Sequence, residues 1–342
     1  MTVWYAQAAG AIQSIEWDTA PTGGGTDLTW PPAADDVLCA NGKAITWAAA
    51  AVPTLTCARL TTAAEGGTAG GGFTLSGSTA VAITADIVAG TTICLTSTHT
   101  GTGVNAVTIN GAVTGGSATN ATGAWNNGTG AITINGAVTG GSVSGAHGAR
   151  NNGTGTLTIN GNVTGSSVTN AYGAFNNSTG TLTITGAVTG GSATNAHGAW
   201  NNGAGAITIY TGPVTGGSAA NAYGAWNNGT GAITINGMVA ASSTARAFGV
   251  YNNSTGVITV IGSLVDTELC GAYYGPLYWQ PVAGVHYHKV FYSAGAAKYY
   301  SPSPADSDVR DGVFAGFSDG VAYNGTLVAG GGPLVGSGGL VG

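Results

Sequence analysis

Charge is what this sequence has least of. Only 6% of its 342 residues are Asp, Glu, Lys or Arg, against about a quarter in ordinary soluble domains. Between Asp86 and Asp266 there is no carboxylate at all, and Arg150 and Arg246 are the only basic residues between Arg59 and Lys289. The first gap takes the carboxylate pair needed for glycoside hydrolysis out of the middle of the chain. The second gap, with a formal net charge of −6, leaves no basic stripe for a phosphate backbone, so no nucleic-acid partner is expected. Apolar runs of about 18 residues are also lacking, which excludes a membrane-spanning helix. The opening Met-Thr-Val-Trp-Tyr-Ala lacks the basic region and apolar core of a secretory signal, so synthesis in a reducing cytoplasm is expected. Cysteines number four, at 39, 57, 94 and 270, without metal-ligand spacing. Cys39 and Cys94 sit in apolar strand-like patterns and read as free buried thiols. No cofactor is implied.

What is present is a repeat. Asn-Asn pairs end at Asn127, Asn152, Asn177, Asn202, Asn228 and Asn253, in steps of 25, 25, 25, 26 and 25 residues. Self-similarity at such a period marks a solenoid whose units bury a shared core by stacking. Ile132 and Ile134 flank Thr133, and Leu157 and Ile159 flank Thr158; this alternation has the period of a strand, not of a helix. Frequent Gly and Asn-Gly steps break helices and suit the corners of a coil of short strands. The expected fold is therefore all-β, a parallel β-helix with one rung per 25 residues, right-handed by the usual chirality of parallel crossovers.

Within one unit, 128–152, the segment Ala131–Asn135 reads as a strand with Ile132 and Ile134 inward. Asn135-Gly136 makes a corner, Ala137–Thr139 a second short strand with Val138 inward, and Gly140-Gly141 a second turn. Val143–Arg150 forms a third wall of smaller residues, and Asn151, Asn152 and Gly153 close the turn. Stacked asparagines are expected to bond from rung to rung. The extra residue near Tyr210-Thr211-Gly212-Pro213 calls for a bulge or a widened corner.

The ends differ from the repeat. Residues 1–34, with Trp4, Tyr5, Trp17, Trp30 and Pro31-Pro32, read as an N-terminal cap, because an open solenoid end exposes edges and core. Residues 35–100 read as longer, irregular first rungs and 101–265 as the regular repeat. Residues 266–300, rich in tyrosine, form a small C-terminal β region. In the tail, 301–342, a short helical turn at 305–312 and a strand–turn–strand over 313–327 precede a glycine-rich end.

The stacked units resemble β-helical repeats of bacteriophage tail fibres and spikes, and of bacterial surface adhesins. The tail Pro304-Ala-Asp-Ser-Asp-Val-Arg-Asp-Gly-Val-Phe, with Gly-Val-Ala-Tyr-Asn-Gly-Thr-Leu at 320–327, resembles a "DVR-x-GV…GTL" segment of phage structural proteins. The resemblance implies a virion-surface protein, made in the host cytoplasm, with other virion proteins as partners and a host-surface polysaccharide as a further candidate partner. It implies a homo-oligomer, for which a trimer is the expectation. It carries no catalytic residue.

Two columns of side chains carry the candidate site. The residue before each Asn-Asn is Trp125, Arg150, Phe175, Trp200, Trp226 and Tyr251 in turn. Three positions earlier stand Thr122, His147, Tyr172, His197, Tyr223 and Phe248. A narrow apolar core would not hold Arg150, so the first column is expected at the surface or in an interface. It either reinforces the solenoid, packs on another subunit, or stacks on sugar rings. His286-Tyr287-His288 places two imidazoles on one side of a strand, and three such pairs about a trimer axis would suit a metal ion. The threonine column 108, 133, 158, 183, 208, 234 and 259 raises an ice-binding face, which Tyr210 would interrupt. The Asn-Gly-Thr and Asn-Ser-Thr triplets match a glycosylation acceptor but coincide with the turn ladder. No catalytic constellation emerges: Asp35/Asp36 and Asp266/Glu268 are the only improvised carboxylate pairs, so a depolymerase is the lesser reading. The expected function is a non-enzymatic virion structural protein (tail fibre, spike or capsid decoration), with a bacterial surface adhesin as the competing class.

Overall fold

The computed structural model describes residues 2–261 except 29–30, 49–53, 63–71, 91–94, 103–105, 118–120, 220 and 241–248. Beyond 261 it describes only the backbone of short strand segments between Leu264 and Ala322. It is a parallel β-solenoid of about 8 turns, with no helix among the described residues. His286 and His288, the proposed helical turn at 305–312, Arg246 and Phe248 lie outside the described residues, as does most of the Tyr-rich region.

Each regular rung contributes three short strands. In the second rung these are Ile132–Ile134, Val138–Thr139 and Ala149–Asn151. Each pairs in parallel with its equivalent 25 residues on: Ile132 with Leu157, Val138 with Val163, Ala149 with Ala174. The first two strands belong to one sheet and the third to a second sheet. The reason is visible in the irregular rungs, where the single strand Val81–Val88 pairs with both Val107–Ile109 and Val113–Thr114. Gly111 permits the break: a Cβ there would run into the backbone of Ala85 and Asp86. From the first regular rung onward, Asn-Gly kinks what is a continuous strand before it.

Period-two alternation decides what is buried. Ile132, Ile134, Val138 and Ala149 point inward at 2% exposure or less, and their equivalents up to Ile258 and Val260 form one continuous core. The core residues are branched or small, which suits a narrow interior stacked every ~4.8 Å. Burying one such branched side chain contributes roughly 1.5–3 kcal/mol, so stability accumulates rung by rung.

One part of the turn departs from expectation. The first asparagine of each pair does not close the turn; it is the last residue of the second-sheet strand and points inward. Asn126, Asn151, Asn176, Asn201, Asn227 and Asn252 are all essentially buried. Burial of an amide is tolerated where its groups are bonded, as at Asn227, whereas Asn151 Oδ1 and Asn201 Nδ2 have no partner among the described residues. Asn227 Nδ2 donates to Gly231 O at 2.9 Å, while its Oδ1 accepts from the N–H of Gly229 at 3.2 Å. Only the second asparagine faces out, and there the expected ladder forms: Asn202 Nδ2 donates to Asn177 Oδ1, and Asn228 Nδ2 to Asn202 Oδ1, both at 2.8 Å. A second outer ladder runs through Asn110, Asn135, Asn160 and Thr185 at 2.7, 2.8 and 3.1 Å.

The extra residue of the fifth unit is absorbed at a corner. Ile184 aligns with Ile209 and Val188 with Val214, so the added position falls between the strands and both sheets keep register. Tyr210 there is 50% exposed.

At the N-terminus the solenoid begins earlier than the sequence suggests. Val3–Ala6 already pairs in parallel with Val37–Cys39 and Gly10–Ala11 with Ala44–Ala48. Trp17–Asp18 then pairs antiparallel against Val3–Ala6 and covers its free edge, the standard protection of an exposed strand. Buried Trp17 is pinned by donating Nε1–H to Ile12 O at 2.9 Å. Cys39 and Cys57 are buried and form no disulfide, as expected of Cys39, and Cys94 lies outside the described residues.

Candidate functional site

The third strand of each rung places its middle residue outward, so register alone lines up the outer column. Trp125 lies beside Arg150, Arg150 beside Phe175, Phe175 beside Trp200, and Trp200 beside Trp226, which neighbours Tyr251. Three residues upstream, a loop carries the second column toward the same face. Gly148 permits that approach, since a Cβ there would sit 2.7 Å from Gly173 O, Thr164 O and Val163 Cγ1. The loop itself passes through left-handed backbone at Gly145, Asn170, Asn195 and Asn221 (φ 74, 59, 57 and 56). Glycine and asparagine are the residues that tolerate it, and this is the unread reason for the Asn in Thr-Asn-Ala.

The two columns interlock. His147, Tyr172, His197 and Tyr223 stack nearly face to face, with centroids 4.7, 5.2 and 4.8 Å apart and interplanar angles of 8°, 13° and 13°. In the outer column Phe175 stacks on Trp200 at 4.7 Å and 23°, and Trp200 on Trp226 at 4.7 Å and 6°. Between columns most rings meet edge to face, within a rung and against the outer residue of the next. Examples are Tyr172 with Trp200 (4.6 Å, 81°) and His197 with Trp226 (4.8 Å, 74°), although Tyr223 stacks on Tyr251 at 29°. Both geometries are the favoured ones for aromatic pairs, each contributing about 0.5–1.5 kcal/mol beyond burial.

Stacking along the axis has a consequence for binding. Ring faces within the columns are covered by their neighbours, so the columns present edges to the outside. Phe175 and Tyr172 are each only 7% exposed. The indole Nε1–H groups of Trp125, Trp200 and Trp226 are shielded from solvent and have no acceptor among the described residues.

The histidines are held neutral. His147 Nδ1 accepts the backbone N–H of Tyr172 at 3.2 Å, and His197 Nδ1 that of Tyr223 at 3.1 Å. An accepting Nδ1 requires the Nε2–H tautomer. Burial, with the Arg150 charge added at His147, pushes both imidazoles down to about 3. Neither has a free basic nitrogen at Nδ1 for proton abstraction. Burial likewise pushes the Tyr172 phenol up to about 12.

Arg150 stands alone in the outer column. Its guanidinium carbon lies 5.0 Å from the Trp125 ring centroid and 5.5 Å from that of Phe175, so the cation is held between two aromatic rings. Burial lowers its pKa from the ordinary value.

Two other places gather polar groups. Glu16, Asp18 and Asp27 in the N-terminal cap bring ligand atoms within 4.8 Å of one another. Asp18 is already used as a loop brace, accepting from the N–H of Ala20 at 2.8 Å and of Gly25 at 2.9 Å, and these bonds, Ala20 foremost, hold its pKa below the usual value. The Thr-Gly-Gly-Ser corners line an open groove of about 450 Å³ between Ala89 and Ser167. One of its hydroxyls, Ser117 Oγ, donates to Gly90 O at 2.9 Å.

Comparison with known protein families, with curated proteins and with solved structures finds no match.

Proposed function

We propose that this chain is a non-enzymatic structural protein of a virion surface, a tail fibre, spike or capsid decoration, whose paired side-chain columns face a host-surface polysaccharide or a neighbouring subunit. The observation that carries the reading is the double stack of rings from His147 to Tyr251, which ties successive rungs together on one face. Such a stack stiffens a rod and concentrates aromatic and amide groups along a single line. Support against catalysis comes from chemistry: the two described histidines of the columns are neutral with Nδ1 engaged, and the sequence offers no carboxylate from 87 to 265. The resemblance of the repeat and tail to phage structural proteins supports the virion over its competitor, a bacterial surface adhesin with the same solenoid.

Two measurements test it. Replacing Trp200→Ala together with Trp226→Ala is expected to weaken either polysaccharide retention or assembly with partner subunits; unchanged retention and unchanged assembly would end the binding-face reading. The mass of the purified chain by light scattering is expected to be that of a trimer. A clean monomer removes the fibre and the trimer-axis metal site at His286 and His288, and leaves a decoration subunit or a monomeric adhesin.

A further inference from the structure

Arg150 is a half-buried cation with no counter-charge. A solenoid rung touches only its neighbours, and no Asp or Glu occurs anywhere from 87 to 265. Its Nη2 reaches Asn152 Oδ1 only at 3.5 Å, and its Nε is shielded from solvent with no acceptor among the described residues. Every other rung of the column carries a neutral aromatic ring at this position. Structural reinforcement alone gives no reason for the exception, because a ring would stack better and avoid the cost of desolvating a charge. The stacked rings hold the guanidinium plane in place, and only the long contact from Nη2 to Asn152 draws on its donors, so with Nε shielded it is the Nη edge that suits recognition of a carboxylate.

The surroundings say what kind of molecule would bring that carboxylate. Two residues along from the outer column runs the exposed ladder of Asn127, Asn152, Asn177, Asn202, Asn228 and Asn253. Along it each Nδ2 from Asn177 onward donates to the preceding Oδ1. A primary amide bonded this way keeps one N–H and one lone pair to spare, except at Asn152, whose Oδ1 accepts from both Arg150 and Asn177. The result is a line of alternating donors and acceptors repeating every ~4.8 Å, which matches the hydroxyls of an extended sugar polymer. A protein partner would need apolar area at the centre of its interface, and here the ring faces are already covered by one another.

We propose that Arg150 anchors the carboxylate of an acidic polysaccharide laid along the outer asparagine ladder. This rests on the attachment reading above and adds the chemical class of ligand and the residue that selects it.

The test uses the full-length chain and two polymers of the same backbone, polygalacturonate and its fully methyl-esterified form, titrated calorimetrically at low ionic strength. The wild-type chain is expected to bind the acidic polymer at least 10-fold more tightly than the ester, with affinity falling as salt is added. Arg150→Gln is expected to lose that difference, and Arg150→Lys to retain part of it, because the charge stays while the fork is lost. Near-UV circular dichroism of both variants checks that the ring stack is intact. Equal binding of the two polymers by the wild type, or undiminished acidic binding by Arg150→Gln, overturns the role of Arg150 and leaves polysaccharide attachment standing. Binding of neither polymer overturns both. A mass by light scattering that falls in Arg150→Gln, with no polymer binding, would show that the cation pairs with a carboxylate of a second copy and overturns the proposal as well.

Discussion

His147 and Tyr172 are joined twice across one rung boundary. Their rings stack at 4.7 Å, and the Nδ1 of His147 accepts the backbone N–H of Tyr172 at 3.2 Å. The same pair of contacts joins His197 to Tyr223. Protonation would turn an acceptor into a donor facing a donor, inside a buried stack.

Acid should therefore loosen the regular rungs. An unfolded imidazole titrates near 6.5, whereas burial in the fold pushes both histidines down to about 3. Between these values the unfolded chain binds protons that the folded chain refuses. Their contribution is complete above 6.5 and is lost as pH falls toward 3, at about 1.4 kcal/mol per pH unit for each histidine. Urea unfolding from pH 7 to pH 4 should show this slope. It should flatten in a His147→Tyr, His197→Tyr variant, which uses the residue already present in the alternate rungs; an unchanged slope would assign acid sensitivity to other groups.

Adjacent asparagines should differ in importance. Asn227→Ala removes a buried brace and strands the carbonyl of Gly231, while the N–H of Gly229 keeps its bond to Asn201 O, and should cost roughly 1–3 kcal/mol. Asn228→Ala removes only exposed ladder bonds to Asn202 and Asn253, and should cost about 1 kcal/mol or less. Chemical denaturation of the two variants side by side decides the matter, and equal costs would contradict the inward assignment.

A methyl group at Gly148 should be poorly tolerated. The Cβ would press on two carbonyl oxygens and a valine methyl, all at 2.7 Å. Backbone of the next rung would have to give way at both Thr164 and Gly173, so Gly148→Ala is expected to destabilise by roughly 1–3 kcal/mol. Because the loop carries His147, the near-UV signal of the ring stack should change too.

Cys57 should behave as an inert core residue. Burial pushes its thiol up to about 12, so almost no thiolate exists at neutral pH. In a variant retaining only this cysteine, labelling by a thiol reagent should proceed at the rate of unfolding. Rapid labelling of the native chain would contradict its placement.

Much of this architecture is legible in the residues. Ile132-Thr133-Ile134 announces a strand because apolar residues alternate with a polar one, and the recurrence of Asn-Asn announces the rung length. Ala149-Arg150-Asn151 alternates with the same period, yet its inward members are a small residue and an amide. An amide ordinarily marks a turn, and only the Nδ2 bonds of Asn151 to the Gly155 and Thr181 carbonyls at 3.0 Å, invisible locally, offset its burial, its Oδ1 being left without a partner among the described residues. The columns at Trp125 and His147 were readable as columns. That they interlock edge to face was not, because it depends on Gly148 and on the left-handed turn at Gly145 bringing the loop back over the strand. The early start of the solenoid at Val3 was hidden for a related reason: its pairing partners lie more than thirty residues away.

The corner between Ile209 and Val214 takes one more residue than its counterpart in the preceding rung without disturbing either sheet. An added residue inside a strand would instead turn every following side chain to the opposite face. In the earlier strand Thr54–Thr61 an extra residue is taken up as a bulge between Thr56 and Arg59. Within the regular rungs the one length change falls at the corner between Ile209 and Val214, and such corners lie along one line of the rod. Peptides grafted there would be displayed as an array at the spacing of the rungs, on a support whose core does not register the insertion.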